Sequence, residues 1–483
     1  MMRERLALSL VLALTLGMLP STVGAQTPPP VTPLPPATPA PSTMPTPPSM
    51  PPREPLPPPP GVRPFAVPQE LVGRELGLDE AVNIGLENAP LIVARIGDYI
   101  ASQQRVNQAL APLLPQLSAS GNYGRLHSIS SATGDAFTSD FGSASVTASQ
   151  LLFDFGRTWA AKDVAKSSAV ALKEVLESQK LDISQLVKTQ YFTLLLSKRL
   201  VQVNLAALDR AEVNLRSAQG FFQVGTQPKS FVTRAEVDVA NARVNVIRAQ
   251  NAVNLARVAL NAAMGIAVNA PTEVKDLLSY TQFPLNRDEL LAEAMRNRPE
   301  YRQVKAQAEA SDAFVRQTFR DFFPNLFGSG TYGVTGVTGG PALDSRATSG
   351  FTGSGTEWNV GLTLSWSIFD GGGKIARYKE AKANLEAARA RVRDIELQVW
   401  QNVEQSYLNL GEAEERIGAA QKAVESADEN YQLARGRFDA GVANIIELTD
   451  AQLALTQAQS DEAQALSDYR IAIARLERAL GRR

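Results

Sequence analysis

Most of this chain reads twice, and that duplication limits its possible folds more than any single motif does. Asp79-Glu80 recurs as Asp288-Glu289, Asn88-Ala89-Pro90 as Asn297-Arg298-Pro299, Pro115 as Pro324, and Gly121-Asn122-Tyr123-Gly124 as Gly330-Thr331-Tyr332-Gly333, all at an offset of 209. Farther along the offset becomes 216: Phe153-Asp154 matches Phe369-Asp370, Phe222 and Gly225 match Phe438 and Gly441, and Gly265 matches Gly481. The change places a seven-residue insertion between Tyr332 and Phe369. Periods of 20–50 residues mark solenoids, so one repeat near 200 residues indicates two large, similar halves instead. The expected halves run over 78–265 and 287–481, joined by a connector over 266–286.

Each half has the same layout. Apolar spacing predicts a helix from about Pro90 to Pro112 and another from about Glu300 to Phe323, stopped by Pro115 and Pro324. Two stretches of alternation with period two follow. Gly156 and the Gly371-Gly372-Gly373 run then open long Ala-rich segments, roughly Thr158–Gln219 and Lys374–Arg437, each on the order of 90 Å if helical. Apolar or small residues from Ala381 through Leu385, Val399, Leu410 and Ala434 to Phe438 step by about 3.6 residues on average, which calls for packing along the whole length with little supercoil. Glycine turns near Gly225 and Gly441 reverse the chain into shorter helices, about Ser230–Met264 and Ile445–Leu480, giving two αα-hairpins.

The alternating stretches hold four expected strands of about ten residues. In one, Trp358, Val360, Leu362, Leu364, Trp366 and Ile368 share a face, with Asn359, Gly361, Thr363, Ser365 and Ser367 on the other. Ala144, Val146 and Ala148 alternate likewise with Ser145, Thr147 and Ser149, while Gln116 to about His127 and Asn325–Val337 alternate more weakly. Two readings fit. A soluble sheet would lay the apolar face on a core. A membrane β-barrel would turn it to lipid, with Trp358, Trp366, Tyr123 and Tyr332 at the membrane interfaces; the two tryptophans are about 26 Å apart along a strand. Four strands cannot close a barrel, so that reading makes an oligomer compulsory, and three copies would supply twelve strands and twelve helical segments around one axis.

Composition excludes other classes. Cysteine is absent and His127 is the only histidine, so thiol chemistry, disulfides and multi-histidine metal cages are excluded; no catalytic residue, metal ligand or cofactor site is expected. A net charge of −1 gives no bulk attraction to nucleic acid. Arg3 and Arg5, an apolar stretch from Leu6 to Leu19 and Val23-Gly24-Ala25 read as a cleavable signal peptide over 1–25. Residues 26–70 read as a disordered linker, since 20 of the 30 prolines fall between Thr27 and Pro68.

At this point the residues resemble a family: the TolC-like outer-membrane efflux proteins, or outer membrane factors. The resemblance spans about Leu78 to Gly481 and rests on LGLDEAVNIGLENAP, the proline-bounded LLPQLSASGNYG, the strand-to-helix stretches SQLLFDFGR and LSWSIFDGGGK, and the turns FFQVGT and FDAGVANIIELTDAQ. It implies a mixed α and β fold, with long helical hairpins forming a periplasmic barrel and four strands per chain entering a 12-stranded trimeric transmembrane β-barrel. The implied protein is a homotrimer in outer-membrane lipid, extending into the periplasm and docking a membrane-fusion adaptor and an inner-membrane transporter.

The resemblance also assigns roles at the hairpin turns. Val224-Gly225-Thr226 and Ala440-Gly441-Val442 would face the adaptor. Glu447 and Asp450, three apart on one helix, would ring the narrow end with six carboxylates, beside Phe438; Phe438 lacks the family's hydroxyl and Ala443 replaces a basic residue. In the other reading, Asp450 pairs with Arg234 of a neighbouring hairpin. The implied function is the exit duct of a tripartite pump for small toxic compounds. Alternatives are a duct for type I protein secretion or metal efflux, or a secreted trimeric helical scaffold.

Two motifs do not survive inspection. Gly328-Ser329-Gly330-Thr331-Tyr332-Gly333 fits a dinucleotide fingerprint but lies in a strand with no helix after it, and Gly371-Gly372-Gly373-Lys374 is followed by Ile375 where a phosphate loop needs Ser or Thr.

Overall fold

The computed structural model describes residues 74–129, 134, 136–283, 287–338 and 353–483. The expected signal peptide over 1–25 and linker over 26–70 lie outside the described residues. The first half comprises β1 (Glu75–Leu76), α1 (Leu78–Asn88), α2 (Pro90–Leu110) with a 3₁₀ turn at Ala111–Leu113, β2 (Gln116–Ile129), β3 (Ala136–Phe153), α3 (Arg157–Gln223) and α4 (Lys229–Ala263). After β4 (Glu273–Val274), which pairs parallel with β1, the order returns as α5 (Arg287–Asn297), α6 (Pro299–Arg320), β5 (Asn325–Thr338), β6 (Gly353–Ser365), α7 (Gly373–Asp439) and α8 (Ile445–Leu480).

Local chemistry sets the helix ends. Pro90 and Pro299 open α2 and α6, where a missing N–H costs nothing. At the strand-to-helix junctions an aspartate supplies the acceptors that the first helical N–H groups lack. Asp154 accepts from the Gly156 amide at 3.0 Å, the Thr158 amide at 2.7 Å and the Thr158 hydroxyl at 2.5 Å, and Asp370 accepts from the Lys374 amide at 2.9 Å. Both long helices have 67 residues and exceed their expected bounds. Gly220 lies inside α3 with open space at its missing Cβ, so only its propensity cost of about 1 kcal/mol opposes the helix.

The long helices pack with their return helices, α3 on α4 and α7 on α8, while α3 also meets α8 and α6. The expected seam of α7 is buried at Ala381, Leu385, Ala388, Val399, Val403, Leu410, Ala413, Ile417, Ala420, Tyr431, Ala434 and Phe438. Midway along, Tyr191 is fully buried and its hydroxyl donates to the Leu76 and Lys275 carbonyls, both at 2.9 Å, which ties α3 to the β1–β4 ladder. Tyr469 donates to the Thr281 carbonyl at 2.8 Å. The duplication recurs in atomic detail here: a Cβ on Gly265 would lie 2.7 Å from the Asn88 carbonyl oxygen, and one on Gly481 would lie 3.0 Å from that of Asn297. Both glycines have positive φ, +69° and +77°, so a side chain is opposed twice over.

A charged centre joins the same elements. Arg478 on α8 lies 2.7 Å from Asp182 on α3 and pairs with Glu300 on α6, which also accepts from the Ser178 hydroxyl at 2.8 Å. Burial alone would raise the Glu300 carboxyl, but the charges of Arg478 and Arg298 and the Arg478 hydrogen bond hold it below its ordinary value.

The sheet is antiparallel throughout in the order β2–β3–β5–β6, leaving β2 and β6 as open edges. The strands have 14, 18, 14 and 13 residues, longer than the expected ten. Register aligns Leu117, Ala119 and Tyr123, then Val146, then Tyr332 and Val334, then Trp358, Val360, Leu362 and Leu364 on one face. That face is uncovered, with Trp358 75%, Val360 79% and Leu362 71% exposed. On the other face Ser120 meets Ser145 at 2.9 Å and Thr147 meets Thr331 at 3.0 Å.

The expected strand through Ile368 is corrected: β6 ends at Ser365. Trp366 lies beyond it, where its indole N–H donates to the Phe322 carbonyl at 3.0 Å and fixes the chain as it turns toward Asp370. Among the described residues no helix is long and apolar enough to cross a membrane.

Candidate functional site at the helix tips

The two hairpin turns have matching geometry. After α3, the Gly225 amide donates to the Phe222 carbonyl at 3.0 Å and the Thr226 amide to Phe221 at 2.9 Å; after α7, the Gly441 amide donates to Phe438 at 2.9 Å and the Val442 amide to Arg437 at 3.0 Å. Gly225 and Gly441 both sit at φ +74° with open space at the missing Cβ, so backbone conformation alone selects glycine. Asn444 caps α8 by accepting from the Ile446 amide at 3.2 Å. Val224 is 73% exposed and Val442 71%, so each tip presents an apolar knob; Thr226, Ala440 and Gly441 are exposed beside them.

The structure places Phe438 in the core of the tips. It is 2% exposed and meets Phe221 edge-on at 5.6 Å, amid Ala218, Ala235, Tyr431, Leu448 and Leu455. Without a hydroxyl to keep wet, the ring follows its apolar character into the tip core, where it fixes one hairpin on the other. Packed there, Phe438 holds one hairpin tip against the other within the chain.

The structure separates the two acids. Both are exposed on α8, because Leu448 and Ala451 take the buried side. Glu447, however, lies 3.1 Å from Arg437 at the end of α7. Asp450 has no ion pair or hydrogen bond to any described residue, so the alternative pair with Arg234 does not form within the chain. Arg234 instead borders a groove of about 740 Å³ between α4 and α8, with Phe231, Asp238 and Ile446.

Sequence reasoning missed the polar residues that join α3 to α8 above the tips. Asn214 donates to Gln452 at 2.7 Å, Gln452 to the Ala207 carbonyl at 3.0 Å, and Arg210 to Thr456 at 3.3 Å while lying 5.9 Å from the Tyr431 ring centre. Their only sequence signal is a polar residue amid small ones on a helix face. At the other end of the molecule, Tyr332 and Trp358 stand opposite each other on β5 and β6, and Tyr123 and Trp358 are 77% and 75% exposed on the apolar face. Among the described residues no group of three or more His, Cys, Asp or Glu side chains is placed to hold a metal.

Comparison with known proteins adds the following. A family model described as outer membrane efflux protein matches residues 82–266 and 290–482. The outer membrane protein TolC of Escherichia coli (strain K12) is 24% identical over 388 residues, 80% of this chain and 78% of TolC. The alkaline protease secretion protein AprF of Pseudomonas aeruginosa is 27% identical over 424 residues, covering 83% of each chain. The toluene efflux pump outer membrane protein TtgI of Pseudomonas putida is 25% identical over 350 residues, covering 71% of each. Among solved structures, the outer-membrane channel OprN superposes with a TM-score of 0.71 at 22% identity, covering 84% of this chain and 89% of OprN. CusC gives 0.71 at 18% identity, covering 87% and 98%.

Proposed function

The chain belongs to the outer membrane efflux protein family, and from that premise we propose that it is the exit duct of a tripartite efflux pump for small toxic compounds. It resides in the cell outer membrane and extends into the periplasm. Three copies close the sheet: β6 of one chain pairs with β2 of the next, giving twelve strands with the apolar face on lipid and the hydroxyl face on water. The observation that carries this reading is the sheet itself, which has two open edges and an uncovered apolar face and continues into two 67-residue helices. Neither a soluble core nor a single-chain barrel accounts for that combination.

The helices form the wall of a periplasmic tunnel. Val224-Gly225-Thr226 and Ala440-Gly441-Val442 meet the periplasmic adaptor, which couples the tunnel to an inner-membrane transporter. Asp450, with Glu447 beside it, lines the narrow end and favours cations. The chain moves solutes and makes or breaks no covalent bond. Residues 1–25 direct export, and 26–70 form the linker ahead of the two repeats.

A second reading, a duct for type I protein secretion, is favoured by the 27% identity to AprF. Deleting the gene in its host separates the two. Sensitisation to dyes and solvents with normal secreted protein supports the first; loss of a secreted protein without sensitisation supports the second.

A further inference from the structure

The strands carry few ionisable groups, and their placement is uneven. Arg125, His127 and Asp140 lie on the apolar face near the β2–β3 connection, where Arg125 stands 2.6 Å from Asp140 and His127 meets the Thr138 hydroxyl at 2.9 Å. The hydroxyl face carries one ionisable residue among the described residues, Glu357 on β6.

Backbone register fixes this position without appeal to a rotamer. Glu357 is opposite Gly333, Gly333 opposite Ser145, and Ser145 opposite Ser120. Its side chain therefore stands in a row with two hydroxyls and a glycine, exposed and without an ion pair or hydrogen bond to any described residue. The next residue, Trp358, projects from the other face opposite Tyr332. Asp140 on the apolar face is neutralised by Arg125, whereas an unpaired carboxylate beside Trp358 and Val360 would face lipid at high cost, so the face bearing Glu357 is the wet one.

We propose that Glu357 is a charge filter within the membrane barrel, separate from the helix tips, that favours cations and cationic solutes over anions. The proposal deepens the duct reading above and rests on it. Three chains bring three such carboxylates to the level of the aromatic pair formed by Trp358 and Tyr332. A 12-stranded barrel has a backbone radius of about 12 Å from strand spacing and tilt. An inward glutamate then lies about 7 Å from the axis, inside the Debye length of about 10 Å at 0.1 M salt, so an ion crossing the bore feels all three charges.

Because the natural chain has no cysteine, Glu357→Cys supplies the only thiol, and its charge can be reset in a folded channel. The experiment uses trimers reconstituted in planar bilayers, with the tip acids neutralised by Glu447→Gln and Asp450→Asn, and reads the cation-to-anion permeability ratio in a KCl gradient. These channels should stay cation-selective, and adding Glu357→Gln should lower the ratio about threefold at low salt. In the Glu357→Cys channel, a sulfonate-bearing thiosulfonate should restore the ratio and an ammonium-bearing one should invert it. Conducting channels whose ratio ignores Glu357→Gln, or whose Cys thiol reacts with neither reagent, would overturn the filter alone. Trimers that never conduct, with the tip acids intact or neutralised, would overturn the duct and the filter with it.

Discussion

Arg437 Nη1 stands 3.1 Å from Glu447 Oε1, across the turn at Gly441, and so splits a pair of acids that look equivalent in the sequence. Both side chains are about half exposed, so the contact contributes under about 1 kcal/mol to folding. Its electrostatic consequence is larger, because an arginine beside Glu447 cancels that carboxylate as seen by a passing ion. Asp450→Asn should therefore reduce cation selectivity more than Glu447→Gln, and Arg437→Gln should increase it. Reversal potentials in a salt gradient measure all three, and equal losses from the two acids would contradict the asymmetry.

Tyr191 links α3 to the β1–β4 ladder. In Tyr191→Phe the Leu76 carbonyl keeps the Lys275 amide at 3.1 Å, but the Lys275 carbonyl loses its tyrosine donor, at a cost of about 1–3 kcal/mol that a denaturant midpoint would register. Burial pushes the Tyr191 hydroxyl up to about 12 from an ordinary 10. The unfolded chain thus loses this proton first, so the contribution is complete below pH 10 and fades between pH 10 and 12. Alkaline unfolding of Tyr191→Phe should lack that component.

Glu300 has the opposite sign. Its folded carboxyl lies below the ordinary 4.5, so the stability it contributes is present above pH 4.5 and is lost as pH falls through the folded value. Glu300→Gln leaves Arg298 and Arg478 short of their shared counter-charge. The expected loss is about 2–4 kcal/mol, below the range for a fully buried pair because the Glu300 side chain is 25% exposed. Thermal denaturation at pH 7 and pH 4 should show the variant's deficit shrinking in acid.

The tip valines should separate conduction from coupling. Val224→Asp with Val442→Asp changes two side chains that touch solvent, so assembly and single-channel conductance should be unchanged while efflux in cells is lost. Conductance traces and dye-accumulation assays, run side by side, test this; retained efflux would count against adaptor contact at these residues.

Much of the architecture is legible in the sequence because it rests on local rules. The 3.6-residue stripe from Ala381 to Phe438, the alternation at Trp358–Leu364 and the turn glycines each depend on a few neighbouring residues. Other features are decided by tertiary contacts. The long helix α3 runs to Gln223, past its expected end, and Trp366 leaves the strand because the chain must turn toward Asp370. Phe438 is buried because a second phenylalanine, Phe221 from the other hairpin, packs against it. The Arg437–Glu447 contact and the Arg478 centre join residues that only the assembled helices bring together, and no spacing rule marks them.

The central claim is that three chains form one conducting pore. Single-channel recording of the mature protein, purified from outer membranes as a native oligomer and fused into a planar bilayer, tests it most directly. The account predicts discrete, cation-selective steps from a trimer, less cation-selective in Glu447→Ala with Asp450→Ala than in the wild type. Well-folded trimers that neither insert nor conduct, with or without those two substitutions, would contradict it.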